Sequence, residues 1–229
     1  SLGTKVFTDG LSIGEFLLLV LATILIAIGG YIINDIFDIN ADSINKPGKN
    51  IIERSISINK AYSLYWITTI SGVLIGTLLS YLINQINFGL IFLFSAGLLW
   101  FYSQKYQCQP LIGNIVISLL SSISFGLVWL FEFYALSNNA TVFVDVQPTF
   151  PLINRLIIVY MGFAFMVSFI REIVKDIEDY SGDNRFGCTT FTVKFGISYS
   201  KIIALFLAYT SLFASLMVQY YFFHADIIL

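Results

Sequence analysis

Charge is absent from four long stretches of this chain: residues 16–34, 61–104, 106–131 and 202–225 contain no Asp, Glu, Lys or Arg. A helix needs roughly 20 consecutive apolar residues to cross a bilayer, and few backbone structures other than helices survive there. The run 61–104 is long enough for two spans, with Asn84-Gln85-Ile86-Asn87 as the turn between them. The shorter run 156–170 becomes a full span when Arg155 and Arg171 lie at the two interfaces. The reading is an all-α, polytopic transmembrane helical bundle with spans near 14–34, 62–83, 88–104, 112–134, 154–174 and 202–223. The chain is 57% hydrophobic and 11% charged, against about 25% charged for a soluble domain. A soluble class is excluded, membrane lipid is the expected surrounding, and no nucleic-acid partner is expected.

The few charges are distributed unevenly. Ten of the twelve basic residues lie in segments 35–60, 105–111 and 171–201, and the alternate segments 84–87 and 135–153 carry none. The positive-inside rule puts the first three on the cytoplasmic side. This topology runs the first span inward from an external start. It implies one membrane domain over residues 1–229 that lacks at least one span before Ser1, with Leu229 reading as a second truncation. Cys108 and Cys188 fall in cytoplasmic segments and are expected as reduced thiols without a role. His224 reads as an interfacial residue, and Asn139-Ala140-Thr141 matches a glycosylation pattern of low specificity.

Six of the 14 acidic residues belong to one pattern that occurs twice. Asn34-Asp35-Ile36-Phe37-Asp38-Ile39-Asn40-Ala41-Asp42 and Lys175-Asp176-Ile177-Glu178-Asp179-Tyr180-Ser181-Gly182-Asp183 share x-D-I-x-D-x-x-x-D. Each copy follows a long apolar stretch. Carboxylates beside a membrane core are costly and mark function. In a helix each triplet would fall within an arc of about 60°. One such motif is often only a solvated helix end. Two matched copies on one side point to a paired carboxylate site for Mg²⁺, which favours oxygen ligands and bridges to substrate phosphates. Lys46, Lys49, Arg54, Lys105, Lys175 and Arg185 lie on the same side and suit a diphosphate. The surrounding spans would house a hydrocarbon tail, and some of the 22 Phe, 13 Tyr and 3 Trp residues would face an allylic cation.

These residues resemble the UbiA-type intramembrane prenyltransferases. Asn34-Asp35-x-x-Asp38-x-x-x-Asp42 followed by Asn45-Lys46-Pro47 is similar to that family's first signature, and Asp176-x-x-Asp179-x-x-x-Asp183 to its second. Tyr102-Ser103-Gln104-Lys105 resembles its Tyr-x-x-Lys segment. The stretch Arg171-Glu172-Ile173-Val174-Lys175-Asp176 onward resembles the ether-lipid branch, the digeranylgeranylglyceryl phosphate synthases. The first loop departs from the family pattern at Gly48-Lys49-Asn50-Ile51 and Glu53-Arg54-Ser55, keeping its basic character. Six spans stand where the family has nine.

The resemblance implies Mg²⁺-dependent transfer of a prenyl group from an allylic prenyl diphosphate to a lipid acceptor. Asp35, Asp38, Asp42, Asp176, Asp179 and Asp183, with Asn34, would hold the metal and carry catalysis. Lys46, Lys49, Lys105, Lys175 and Arg185 would bind diphosphate. Asn34, Tyr102, Ser103, Arg54 and Arg171 would bind substrate. Asp42 and Asp183 are both open as the base. The acceptor is expected to be a prenylated glycerol phosphate, the alternative being an aromatic ring. A cation transporter is the competing class, but it would place carboxylates mid-span on broken helices.

Overall fold

The computed structural model describes residues 10–45, 47–48 and 51–224. Lys46 and Lys49, and the side chain of His224, lie outside the described residues. The described residues form ten α-helices: α1 (Ile13–Phe37), α2 (Ile39–Asn45), α3 (Ile58–Leu82), α4 (Gly89–Gln104), α5 (Ile112–Ser137), α6 (Ala140–Val146), α7 (Phe150–Glu178), α8 (Tyr180–Arg185), α9 (Phe191–Phe195) and α10 (Ile197–His224). Among the described residues, six helical segments, built on α1, α3, α4, α5, α7 and α10, are long and apolar enough to cross a membrane. Among the described residues there is no strand, only an isolated bridge between Ile52 and Ile56.

Local chemistry sets the helix ends. Ser12 caps α1 in a reciprocal pair with Glu15: the Glu15 amide donates to Ser12 Oγ at 3.2 Å, and the Ser12 amide donates to Glu15 Oε2 at 2.8 Å. α3 stops at Asn84, whose φ of 59° turns the chain back at the turn expected from the sequence. Within the spans, Thr23 turns back to the Leu19 carbonyl at 2.8 Å and Ser80 to the Gly76 carbonyl at 2.8 Å, while Ser122 of α5 reaches across to the Met161 carbonyl of α7 at 2.9 Å. No polar partner is then required from the lipid.

The spans form two halves. α1 packs on α3 and α4, while α7 packs on α5 and α10. The first half is tight because Gly72 lets the helices meet. A β-carbon there would lie 2.8 Å from Ile26 Cγ1 and 3.0 Å from the Ala22 carbonyl oxygen. Small residues serve helix contact in membranes in this way. α1 and α7 share almost no contact.

The halves join at both ends. At one end, Phe88 and Phe92 of the first half meet Phe131 and Tyr134 of the second, with ring centroids 4.9 to 5.8 Å apart. The Leu11 amide also reaches Glu132 Oε2 at 3.0 Å. At the other end α2 packs against α8. The segment 135–153, between two spans, is largely helical. Asn139 caps α6, and Phe133, Phe143, Phe150 and Trp129 pack into one aromatic cluster beneath it.

Candidate active site

The two acidic motifs have the same backbone design. α1 ends at Asp38 with φ −88° and ψ 1°, and α7 ends at Asp179 with φ −89° and ψ 2°. Each middle aspartate thus marks a break between a span and a short helix. The four-residue hydrogen bonds nonetheless run through it: Asp38 to Asn34 at 2.9 Å, Asp42 to Asp38 at 2.8 Å, Asp179 to Lys175 at 2.9 Å and Asp183 to Asp179 at 3.0 Å. The expected continuous helix is therefore interrupted once, at the matching residue in both copies. Each break places Asp42 or Asp183 in the first turn of the following short helix, where the macrodipole favours a carboxylate.

Asn45 ties the two copies together. Its Nδ2 donates to the Asp179 carbonyl at 3.0 Å, and its Oδ1 accepts from the Gly182 amide at 2.7 Å. The motifs also feel each other's charge. Burial pushes the Asp38 carboxyl up to about 6, with the Asp42 and Asp179 charges adding to the rise and Lys175 and a hydrogen bond from Gln107 opposing it. Asp183 is likewise pushed up to about 6, by burial first and then by Asp179 and Asp38, against Lys175 and Thr190. Lys175 stands between the two sets of carboxylates as their shared counter-charge.

Three amide contacts orient the aspartates. Gln107 Nε2 donates to Asp38 Oδ1 at 2.7 Å, and Asn34 Nδ2 donates to the other Asp38 oxygen. Asn34 Nδ2 also reaches Gln107 Oε1 at 3.3 Å. In the second motif, Asn114 Nδ2 donates to Asp176 Oδ2 at 3.1 Å. Sequence reasoning passed over Gln107 and Asn114. Asn114 is signalled by being an amide inside an apolar span, but Gln107 carries no such signal.

A cavity of about 470 Å³ runs from this end into the gap between the halves. Its polar wall carries Asn34, Asp35, Asp38, Asp42, Tyr102, Arg171, Glu172 and Lys175, and its apolar wall includes Ile26, Phe92, Leu99 and Leu127. Asp176, Asp179 and Asp183 lie outside that wall, as do Ser103, Lys105, Arg54 and Arg185. Ser103 is buried, whereas Lys105, Arg54 and Arg185 are exposed, and Arg54 donates to the Gly48 carbonyl. Glu172, a third residue without a role in the sequence reading, is 4% exposed. Its Oε2 accepts from the Tyr102 hydroxyl at 3.3 Å, and its Oε1 accepts from Arg171 Nη1 at 2.7 Å.

The thiols differ from expectation. Cys108 and Cys188 form a disulfide with Cα atoms 4.5 Å apart. The loops after α4 and α8 meet at the motif end, where the Thr189 amide also donates to the Cys108 carbonyl at 2.9 Å. Two cysteines 80 residues apart gave no hint of this proximity.

Among the described residues, no three acidic, histidine or cysteine side chains converge on one point. Asp38 and Asp176 instead face their amide donors. Mg²⁺ commonly takes only one or two carboxylates and completes its shell with water and substrate phosphates. A set of hard carboxylate oxygens spread over two opposed turns fits that requirement.

Residues 7–229 match the description of the UbiA prenyltransferase family. The chain belongs to the UbiA prenyltransferase family. Its relatives within that family include the digeranylgeranylglyceryl phosphate synthase of Saccharolobus solfataricus, 33% identical over 196 residues that cover 85% of this chain and 61% of the relative. The same enzyme of Sulfurisphaera tokodaii is 34% identical over 204 residues, covering 86% of this chain and 65% of the relative. A solved structure from work on digeranylgeranylglyceryl phosphate synthase in membranes superposes with a TM-score of 0.56 at 28% identity, covering 92% of this chain and 67% of that one. The chain thus spans less than two thirds of the length of these two curated UbiA relatives.

Proposed function

We propose that this protein transfers a prenyl group from an allylic prenyl diphosphate to the hydroxyl of a prenylated glycerol phosphate, as a step in ether-lipid synthesis. The observation that carries the reading is that two matched acidic turns are joined through Asn45, the first of them lining an apolar cavity within the span layer. The cavity offers the tail an apolar wall of Ile26, Phe92, Leu99 and Leu127. Lys175, on the polar wall of the same cavity, supplies a fixed positive charge where the diphosphate would rest, and such charge stabilises a departing anion. Asn34, Asp35, Asp38, Asp42, Asp176, Asp179 and Asp183 are the residues that would hold Mg²⁺. When bound, the metal supplies charge neutralisation for the leaving diphosphate. Gln107 and Asn114 hold Asp38 and Asp176 in place for that purpose.

The glycerol phosphate acceptor is favoured by the relatives that carry that enzyme's name and by Arg171. Arg171 lines the cavity with an exposed guanidinium, suited to a phosphate-bearing acceptor. Arg54 and Arg185 are exposed outside the cavity wall and are assigned no contact. The distribution of Lys and Arg supports a cytoplasmic position for the motif end of the bundle.

The test uses the protein in membranes with labelled geranylgeranyl diphosphate. Geranylgeranylglyceryl phosphate and 4-hydroxybenzoate are offered together, with and without a chelator. The expected result is chelator-sensitive transfer to the glycerol phosphate lipid. Transfer to the aromatic acid alone would replace the acceptor, and no pyrophosphate release from any prenyl diphosphate would reject prenyl transfer.

A further inference from the structure

Glu172 is the one acidic residue of the cavity wall that stands outside both motifs. It lies one helical turn before Asp176 on α7, about 6 Å further into the span layer. A carboxylate at that depth is expensive to keep. Arg171 is 61% exposed while the Glu172 side chain is 5% exposed, and the Lys175 charge one turn further along α7 also bears on it. The Tyr102 hydroxyl contact, at 3.3 Å, is long. Together these contacts fix the carboxylate and leave it facing the cavity.

Depth also decides what it can meet. If the diphosphate rests at the acidic turns and the tail runs along the apolar wall, the reacting carbon lies just inside the diphosphate. That is the level of Glu172 and Tyr102. Asp42 and Asp183 belong to the short helices beyond the span ends, on the far side of the diphosphate from that carbon.

We propose that the Glu172 carboxylate takes the proton from the acceptor hydroxyl during prenyl transfer, an assignment that rests on the prenyl-transfer reading above. The acceptor oxygen forms its bond to the allylic carbon as the bond from that carbon to the diphosphate oxygen breaks. The diphosphate leaves with the electron pair, the hydroxyl proton passes to a Glu172 oxygen, and it is then released to water. An ether oxygen that still carries this proton is far more acidic than a carboxylic acid. Glu172 therefore needs the right position, not unusual basicity. Arg171 and Tyr102 act through it as positioning residues.

The experiment measures two products of the full chain in nanodiscs: prenylated acceptor, and pyrophosphate with prenyl alcohol. Glu172→Gln keeps shape and removes the proton acceptor. Acceptor prenylation is expected to fall by about 100-fold or more, the usual scale of general base catalysis. Pyrophosphate release, with water as nucleophile, continues within about five-fold. Glu172→Asp, which withdraws the carboxylate by one methylene, is expected to lie between parent and Gln. It also serves if the Gln variant does not fold. Prenylation within about three-fold of the parent in Glu172→Gln, or equal loss of both products in the folded variants, overturns the assignment. A parent protein that releases no pyrophosphate overturns the prenyl-transfer reading, and this assignment with it.

Discussion

Gly182 sits directly against Asn45: a β-carbon on Gly182 would lie 2.5 Å from Asn45 Nδ2 and 2.8 Å from the Ala41 carbonyl oxygen. The second acidic motif has no room for a side chain at the position immediately before Asp183. Gly182→Ala should force α2 away from α8 and cost about 1–3 kcal/mol, the usual scale of overpacking. Thermal unfolding in detergent checks this. Asn45→Ala, which removes two hydrogen bonds without adding bulk, should cost about 1–2 kcal/mol. A Gly182→Ala midpoint equal to the parent's would show that the two turns are not held this closely.

Asp38→Asn and Asp179→Asn should each lower metal-dependent turnover by about 100-fold or more, because the amide keeps the size and loses the charge that the cation needs. The measurement is pyrophosphate release against Mg²⁺ concentration. Near-parent rates in both variants would remove these residues from the metal site.

The raised positions of Asp38 and Asp183 give opposite pH trends for the empty and the loaded protein. Both carboxyls shift from 3.8 to about 6 on folding. Between those values the folded state binds more protons than the unfolded state, so stability falls as pH rises through that window. The metal requires the ionised carboxylates, so its affinity should rise over the same interval and level off above about pH 7. Unfolding midpoints at pH 5 and 7, with and without Mg²⁺ and pyrophosphate, test both signs. Metal affinity that does not change from pH 5 to 7 would exclude these two groups from its binding.

Gln107→Leu should act on Asp38 without touching its charge. Loss of the donor at 2.7 Å removes one influence that lowers the Asp38 pKa, so the acidic limb of the pH–rate profile should move to higher pH. A several-fold loss of activity at pH 6 should shrink at pH 8. An unshifted profile with uniform loss would mean that Gln107 serves only packing.

Much of this was legible in the chain. Charge-free runs located the six spans to within a few residues, because the cost of burying charge in lipid leaves so direct a mark. The paired aspartates were legible because the repeat is long and acidic residues are scarce. What escaped was everything set by approach between distant segments. Gln107 lies 69 positions from Asp38, and Asn114 lies 62 from Asp176. Glu172 stood in view beside the second motif, but its burial and its place on the cavity wall depend on how α4 and α7 pack. Lys105 and Arg185, chosen for charge and nearness to the spans, are exposed outside the wall. Periodicity alone does not say which side of a helix end faces inward.

The two halves are joined by rings around Phe92 and Phe131 at one end and by the acidic turns at the other. Such an arrangement works as a frame latched at both ends: Asn45 and the Cys108–Cys188 crosslink hold the two sets of carboxylates at one spacing, while the span layer between the latches keeps its cavity.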